Sequence, residues 1–111
     1  MYNKEIRVDN GWGYTRKTVS YDRKLKYCPY GSAGVNIGYK RLYLISYETC
    51  AAALDDNGWL ECSCIYRQTT AKHIRAFLRE YAPNISYQDV KVAFIHNYAI
   101  NIRTRATRPL P

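Results

Sequence analysis

Residues 55–58 read Asp-Asp-Asn-Gly and stand between two runs that favour extended chain, Leu42–Leu54 and Trp59–Tyr66. Asn-Gly is the strongest short hairpin signal, because both residues tolerate the positive φ of a tight reversal. On the return run, period-two alternation puts Leu60, Cys62, Cys64 and Tyr66 on one face and Trp59, Glu61, Ser63 and Ile65 on the other. An amphipathic segment follows at once. Ile74, Phe77, Leu78 and Tyr81 fall at i, i+3, i+4 and i+7, which makes one apolar stripe. A Thr69 or Thr70 hydroxyl can cap its start by accepting a backbone N–H, and Pro83 stops it. The spacing predicts a helix over 70–81, and the hairpin just before it is the surface on which the stripe buries itself. The fold class is therefore α+β: a small antiparallel sheet built round a hairpin at about 42–66, packed by one helix at about 70–81.

The flanks read less sharply. Gly11-Trp12-Gly13-Tyr14 is a turn signal leading into a Thr-, Val- and Tyr-rich strand, Tyr14–Tyr21. Residues 27–34 form a loop, since Pro29 and several small residues break any period. Gly31, Gly34 and Gly38 match neither a dinucleotide fingerprint nor a P-loop, so they read as turn glycines. Near 86–96, Ser86-Tyr87-Gln88-Asp89 can cap a second short helix. Val90, Val92 and Phe94 nevertheless alternate like a strand, which favours a brief turn or helix followed by extended chain; Ile100 and Ile102 continue that alternation. A chain of 111 residues fits one domain. We place it at 1–102, with 103–111 as a flexible basic tail.

Charge and tyrosine are distributed unevenly. Seventeen Lys and Arg against nine Asp and Glu give +8. Residues 1–47 hold +6, residues 48–96 hold −1, and Arg103, Arg105 and Arg108 bring +3 to the end. Such a field attracts polyanions. Twelve tyrosines accompany only two phenylalanines, and eight of them lie at or before Tyr47. Cations interleave with them: Tyr14 with Arg16 and Lys17, Tyr21 with Arg23, Lys24 and Lys26, and Tyr39 with Lys40 and Arg41. Bases stack on aromatic rings while cations neutralise phosphates, so this composition suits a nucleic-acid groove. It equally suits a protein interface, where Tyr and Arg act as anchors. On the predicted helix Lys72, Arg75 and Arg79 share the polar side and form a candidate phosphate-contacting stripe. These thirteen residues are the candidate binding site.

No catalytic or metal-binding set emerges. Cys62 and Cys64 point the same way on a strand, yet a structural zinc site needs two further ligands, and Cys28, Cys50, His73 and His96 stand in no paired spacing. A Cys–His pair is possible in principle, but nothing in the sequence places a cysteine beside either imidazole. Asp55 and Asp56 read as hairpin-turn chemistry. We expect no cofactor, no metal and no small-molecule substrate. No apolar run reaches the ~18–20 residues of a membrane helix, and the first residues lack the layout of a secretory signal. The expected setting is therefore soluble and intracellular, with the four cysteines as reduced thiols.

The centre of the chain resembles a small uncharacterised domain common in bacteriophages and mobile elements. Ser46-Tyr47-Glu48-Thr49, the hairpin, and Gln68-Thr69-Thr70-Ala71-Lys72-His73 running on to Glu80 match its pattern of a Ser-Tyr-x-Thr strand, a β-turn, a second strand and a Thr-Thr-x-Lys-His helix. The resemblance transfers no catalytic residues. It implies a short phage-type protein acting in a bacterial host cytoplasm, a class that includes anti-CRISPR inhibitors. The combined expectation is a non-enzymatic binding protein that engages nucleic acid or a nucleoprotein, most concretely an anti-CRISPR-like inhibitor of a CRISPR–Cas effector. A small phage DNA-binding or regulatory protein is the alternative, and a metal-dependent enzyme comes third.

Overall fold

The computed structural model describes residues 2–9, 14–63 and 68–111, with side chains from Val19 onward. Strands β1 (Tyr2–Asp9) and β2 (Tyr14–Tyr21) form an antiparallel ribbon with Tyr2 opposite Tyr21. The strand expected at Tyr14–Tyr21 is present; the turn expected at Gly11-Trp12-Gly13 lies outside the described residues. A second, seven-stranded sheet runs in chain order through β3 (Arg23–Lys24), β4 (Ala33–Gly38), β5 (Arg41–Ser46), β6 (Thr49–Asp55), β7 (Trp59–Cys62), β8 (Tyr98–Asn101) and β9 (Thr107–Pro109). Every neighbouring pair is antiparallel. Helices α1 (Gln68–Tyr81) and α2 (Tyr87–Ile95) are inserted between β7 and β8. The architecture is a small α+β fold, as the patterning implies, with a larger sheet.

The Leu42–Leu54 run is two strands. It folds back at Tyr47-Glu48, a two-residue turn that pairs Ser46 with Thr49 and holds Tyr47 at φ 56°. No glycine or asparagine marks this reversal. The turn is held by neighbours instead: the Tyr47 N–H donates to the Ser32 carbonyl at 2.6 Å, and the Tyr21 hydroxyl donates to the Tyr47 carbonyl at 3.1 Å. A register shift at Leu44/Ile45 leaves Ala51 as an extra residue on β6, so Leu44 opposes Ala52 but Ile45 opposes Cys50. Cys50 is thereby turned outward, although simple alternation from Leu54 and Ala52 would bury it.

The Asn57-Gly58 hairpin is where the sequence puts it, but only Gly58 has positive φ, at 92°. The Gly58 N–H reaches the Asp55 carbonyl, and Asp55 Oδ1 accepts the N–H groups of Asn57 and Trp59 at 3.0 and 2.9 Å. The loop is therefore three residues closed by a left-handed glycine rather than a two-residue turn. β7 ends at Cys62; Cys64 and Tyr66, expected on the same face, lie outside the described residues.

α1 begins earlier than the capping pattern predicts. Thr69 and Thr70 are inside it, and Thr70 is buried, so neither threonine is the N-cap. The stripe behaves as expected: Ile74, Phe77 and Leu78 are buried against Leu44, Leu54 and Leu60 of the sheet in one core, and Tyr81 packs at its margin. Each such side chain contributes about 1.5–3 kcal/mol relative to leaving it in water. The helix stops at Tyr81, two residues before Pro83.

The second short helix that Ser86–Asp89 can cap is present at residues 87–95; what is corrected is the extended reading of Val90, Val92 and Phe94 and the flexible-tail reading of the end segment. A capping box decides this: Asp89 N–H donates to Ser86 Oγ and Ser86 N–H to the Asp89 carboxylate, both at 3.1 Å. The helix buries Val90 and Ala93 and leaves Val92 outside, so the apparent alternation of Val90, Val92 and Phe94 does not mark a strand face. Residues 103–111 do not trail as a free tail. They double back as β9 on β8, with Tyr98 opposite Pro109 and the Leu110 N–H on the Asn97 carbonyl. Asn101 organises the reversal: its Oδ1 accepts from Arg103 and Thr104, and its Nδ2 donates to the Asn57 carbonyl. Among the described residues, no helix is long and apolar enough to cross a membrane.

Candidate functional site

The cations of α1 are arranged by the same periodicity that buries Phe77. Lys72, Arg75 and Arg79 occupy the opposite side of the helix, and all three are exposed. Two are held in place by rings. The Arg79 guanidinium lies 4.2 Å from the Tyr27 ring centroid, and Arg75 lies 4.3 Å from that of Tyr87. Each contact is worth about 0.5–1 kcal/mol at an exposed site, and each removes rotamer freedom that a ligand would otherwise have to freeze.

The segment after β3 extends this face. The Lys26 backbone N–H donates to Glu80 Oε1 at 2.8 Å, which ties the loop to the end of α1, while Lys26 Nζ stands 5.4 Å from the Tyr27 ring. Arg23 and Lys24 are exposed on β3. Arg23 and Glu80 both adjoin the Tyr81 hydroxyl, which is buried beside them without a well-aligned hydrogen bond and is raised above its usual range chiefly by burial. Lys26 and Arg79 thus converge on Tyr27, with Arg75 over Tyr87 and Lys72 further along the same side of α1.

The remaining candidates are placed elsewhere. Tyr21 is 2% exposed, so it is a core residue and not a stacking platform. Tyr39 and Lys40 form the β4–β5 turn, with Lys40 at φ 56° and its ammonium 5.4 Å from the Tyr39 ring. Arg41 faces Glu61 at 3.8 Å. This group stands beside Asp55 and Asp56, at the end of the strands away from Ser46, and is separate from the α1 face. Tyr14, Arg16 and Lys17 are on β2, opposite Asp9, Arg7 and Ile6; their side chains fall outside the description. The three arginines near the end all have structural partners: Arg103 donates to the Asp56 carbonyl, Arg105 to the Asn84 carbonyl, and Arg108 lies over Trp59.

Sequence reasoning missed one polar group entirely. Ser46 shares the inward face of β5 with Leu42 and Leu44, and its hydroxyl meets Nδ1 of His73 at 2.7 Å inside the protein. Both residues are buried, at 3% and 2% exposure. Burial, reinforced by the Lys72 charge, lowers the His73 pKa below the ordinary imidazole value. The Tyr47 ring stands 6.0 Å from the imidazole. No local motif signals this meeting, because it depends on how β5 and α1 pack. Cys62, in contrast, is held as the protonated thiol: burial first, then Cys50 and Glu61, pushes it up to about 12. No group of three metal-ligating side chains forms among the described residues.

The sequence matches a family described only as a family of unknown function, DUF8033, over residues 2–93. No curated protein and no solved structure matches it.

Proposed function

The chain belongs to the DUF8033 family, and we propose that it is a non-enzymatic protein that binds nucleic acid, alone or in a nucleoprotein, through the cationic face of α1. One observation carries the reading. Lys72, Arg75 and Arg79 project from consecutive turns of one helix, and two of the three guanidinium or ammonium groups are already oriented by tyrosine rings. Phosphates follow one another along a strand at a spacing that such a row can track. Because Arg75 and Arg79 occupy the faces of Tyr87 and Tyr27, the surface is suited to backbone phosphates more than to base stacking. The anti-CRISPR reading draws on the central motif alone, so the proposal stops at nucleic acid.

The test is fluorescence anisotropy with labelled single-stranded and duplex DNA and RNA across a salt series. The comparison is between the wild type, a Lys72/Arg75/Arg79→Ala variant, and an Arg103/Arg105/Arg108→Ala variant. Loss of three phosphate contacts flattens the dependence of log K on log salt by about 2–3. The end-segment variant lowers stability and leaves that slope alone. Equal affinity of the α1 variant and the wild type at every salt concentration refutes the assignment.

A further inference from the structure

Gly31 marks a place where two reactive side chains meet. A Cβ built on Gly31 would stand 2.6 Å from Cys28 Sγ and 3.1 Å from His73 Nε2, so the sulfur and the nitrogen are at most 5.7 Å apart. Only a residue without a side chain leaves that space open. The Gly31 N–H donates to the Cys28 carbonyl at 3.2 Å, which curls the loop so that the thiol turns toward α1. On the far side of the ring, Ser46 Oγ engages Nδ1 at 2.7 Å. The order is thiol, imidazole, hydroxyl: a nucleophile, a base, and a group that orients the base.

We propose that Cys28, His73 and Ser46 form a covalent modification site in which Cys28 attacks soft, uncharged electrophiles. The idea is independent of the nucleic-acid reading. In the tautomer in which Ser46 Oγ accepts from Nδ1–H, Nε2 carries its lone pair toward the gap and makes no hydrogen bond to any described residue. Nε2 takes the Cys28 proton as sulfur attacks carbon; the S–C bond forms, the bond from carbon to the leaving group breaks, and the leaving group departs with that electron pair. The imidazolium then returns its proton to water. A buried imidazole whose neutral form is favoured is a base that is ready at neutral pH. Cys28 is partly exposed at the margin of the core, and His73 is buried beside it. Among the described residues, the charged and aromatic neighbours of the imidazole are Lys72 on its own helix and Tyr47 from the β5–β6 turn. Resting geometry need not include a thiol–imidazole hydrogen bond, since such contacts commonly tighten only as the reaction proceeds.

The test uses iodoacetamide on the intact, reduced protein, with the labelling of each cysteine followed by peptide mass spectrometry between about pH 6 and 9. An ordinary thiol is only a few per cent thiolate at pH 7, so assisted deprotonation makes Cys28 react roughly tenfold faster than exposed Cys50 in the same molecule. The Cys28 rate levels off once the His73 imidazole is neutral, whereas that of Cys50 keeps climbing with pH. His73→Gln brings Cys28 to the Cys50 curve, and Ser46→Ala lowers its rate in part while keeping the early plateau. The wild-type comparison stands whether or not the variants fold. Cys28 reacting no faster than Cys50 at neutral pH, or following the same rising curve, overturns the proposal, as does an unchanged profile in a folded His73→Gln protein.

Discussion

Replacing Phe77 by alanine measures how much of the fold rests on the contact between helix and sheet. The ring is 0% exposed, sits in the middle of the α1 stripe and packs in one core with Leu25, Leu44 and Leu60. Its centroid is 4.9 Å from that of Tyr81, at a tilt of 38°. Deleting a buried phenylalanine costs about 3–5 kcal/mol through lost transfer energy and the cavity left behind. The tilted pair with Tyr81 places the value in the upper half of that range. Unfolding entropy of about 2.1 cal/mol/K per residue, over 111 residues, is roughly 230 cal/mol/K, so Tm falls by roughly 17–21 °C. Domains of this kind hold only about 5–15 kcal/mol in all, and the variant is therefore at the edge of folding at 37 °C. Thermal melts followed by far-UV circular dichroism give the shift, with urea titration as a check that m is unchanged. Val92→Ala serves as the control, since Val92 is 46% exposed and its loss costs within about 0.5 kcal/mol. A Phe77→Ala melt no lower than that of Val92→Ala refutes the packing argument.

Two further outcomes follow from polar groups. Asn101→Ala removes three side-chain hydrogen bonds, two within the β8–β9 turn and one to the Asn57 loop, and lowers stability by about 1–3 kcal/mol; a melt equal to wild type means the turn holds without them. In denaturation across pH, the wild type loses stability as pH falls below the ordinary imidazole value, because the unfolded chain then binds a proton that buried His73 resists. Asp89, held down by the Ser86 N–H and hydroxyl, contributes stability above the ordinary carboxylate value that is lost only as pH falls further, through its own lowered value. His73→Gln removes the first limb and leaves the second; a first limb that survives the substitution assigns it to another group.

The parts of this fold that were legible in the sequence are those specified by neighbours in the chain. The α1 stripe needs only periodicity, and Asp55-Asp56-Asn57-Gly58 carries its own turn chemistry. The reversal at Tyr47 was illegible because a residue that tolerates positive φ poorly is held there by Ser32 and Tyr21, both distant in sequence. Residues 87–95 misled because valine and phenylalanine favour strands in isolation, whereas the Ser86–Asp89 box and the burial of Val90 and Ala93 favour helix. The end segment looked unanchored because its arginines bind backbone carbonyls and an indole face, partners that no residue pattern advertises. The cationic stripe of α1 was readable as a row; the rings that orient it were not, since Tyr27 and Tyr87 come from loops and helices on either side of it.

The sheet runs in order from β3 at one margin to β9 at the other, and those margins bear on self-association. An outermost strand offers unpaired amides and carbonyls as a template for another molecule, and long apolar ones seed aggregates. Here β3 is two residues long and both are cations, Arg23 and Lys24. β9 is three residues long and includes Pro109, which has no amide hydrogen to offer. Both templates are too short and too hostile for a second copy to extend. Arg23 and Lys24 therefore disfavour strand addition at this margin of the seven-stranded sheet whatever they bind, and neutralising them lowers that barrier. Lys72, Arg75 and Arg79, on a helix, carry no such second duty.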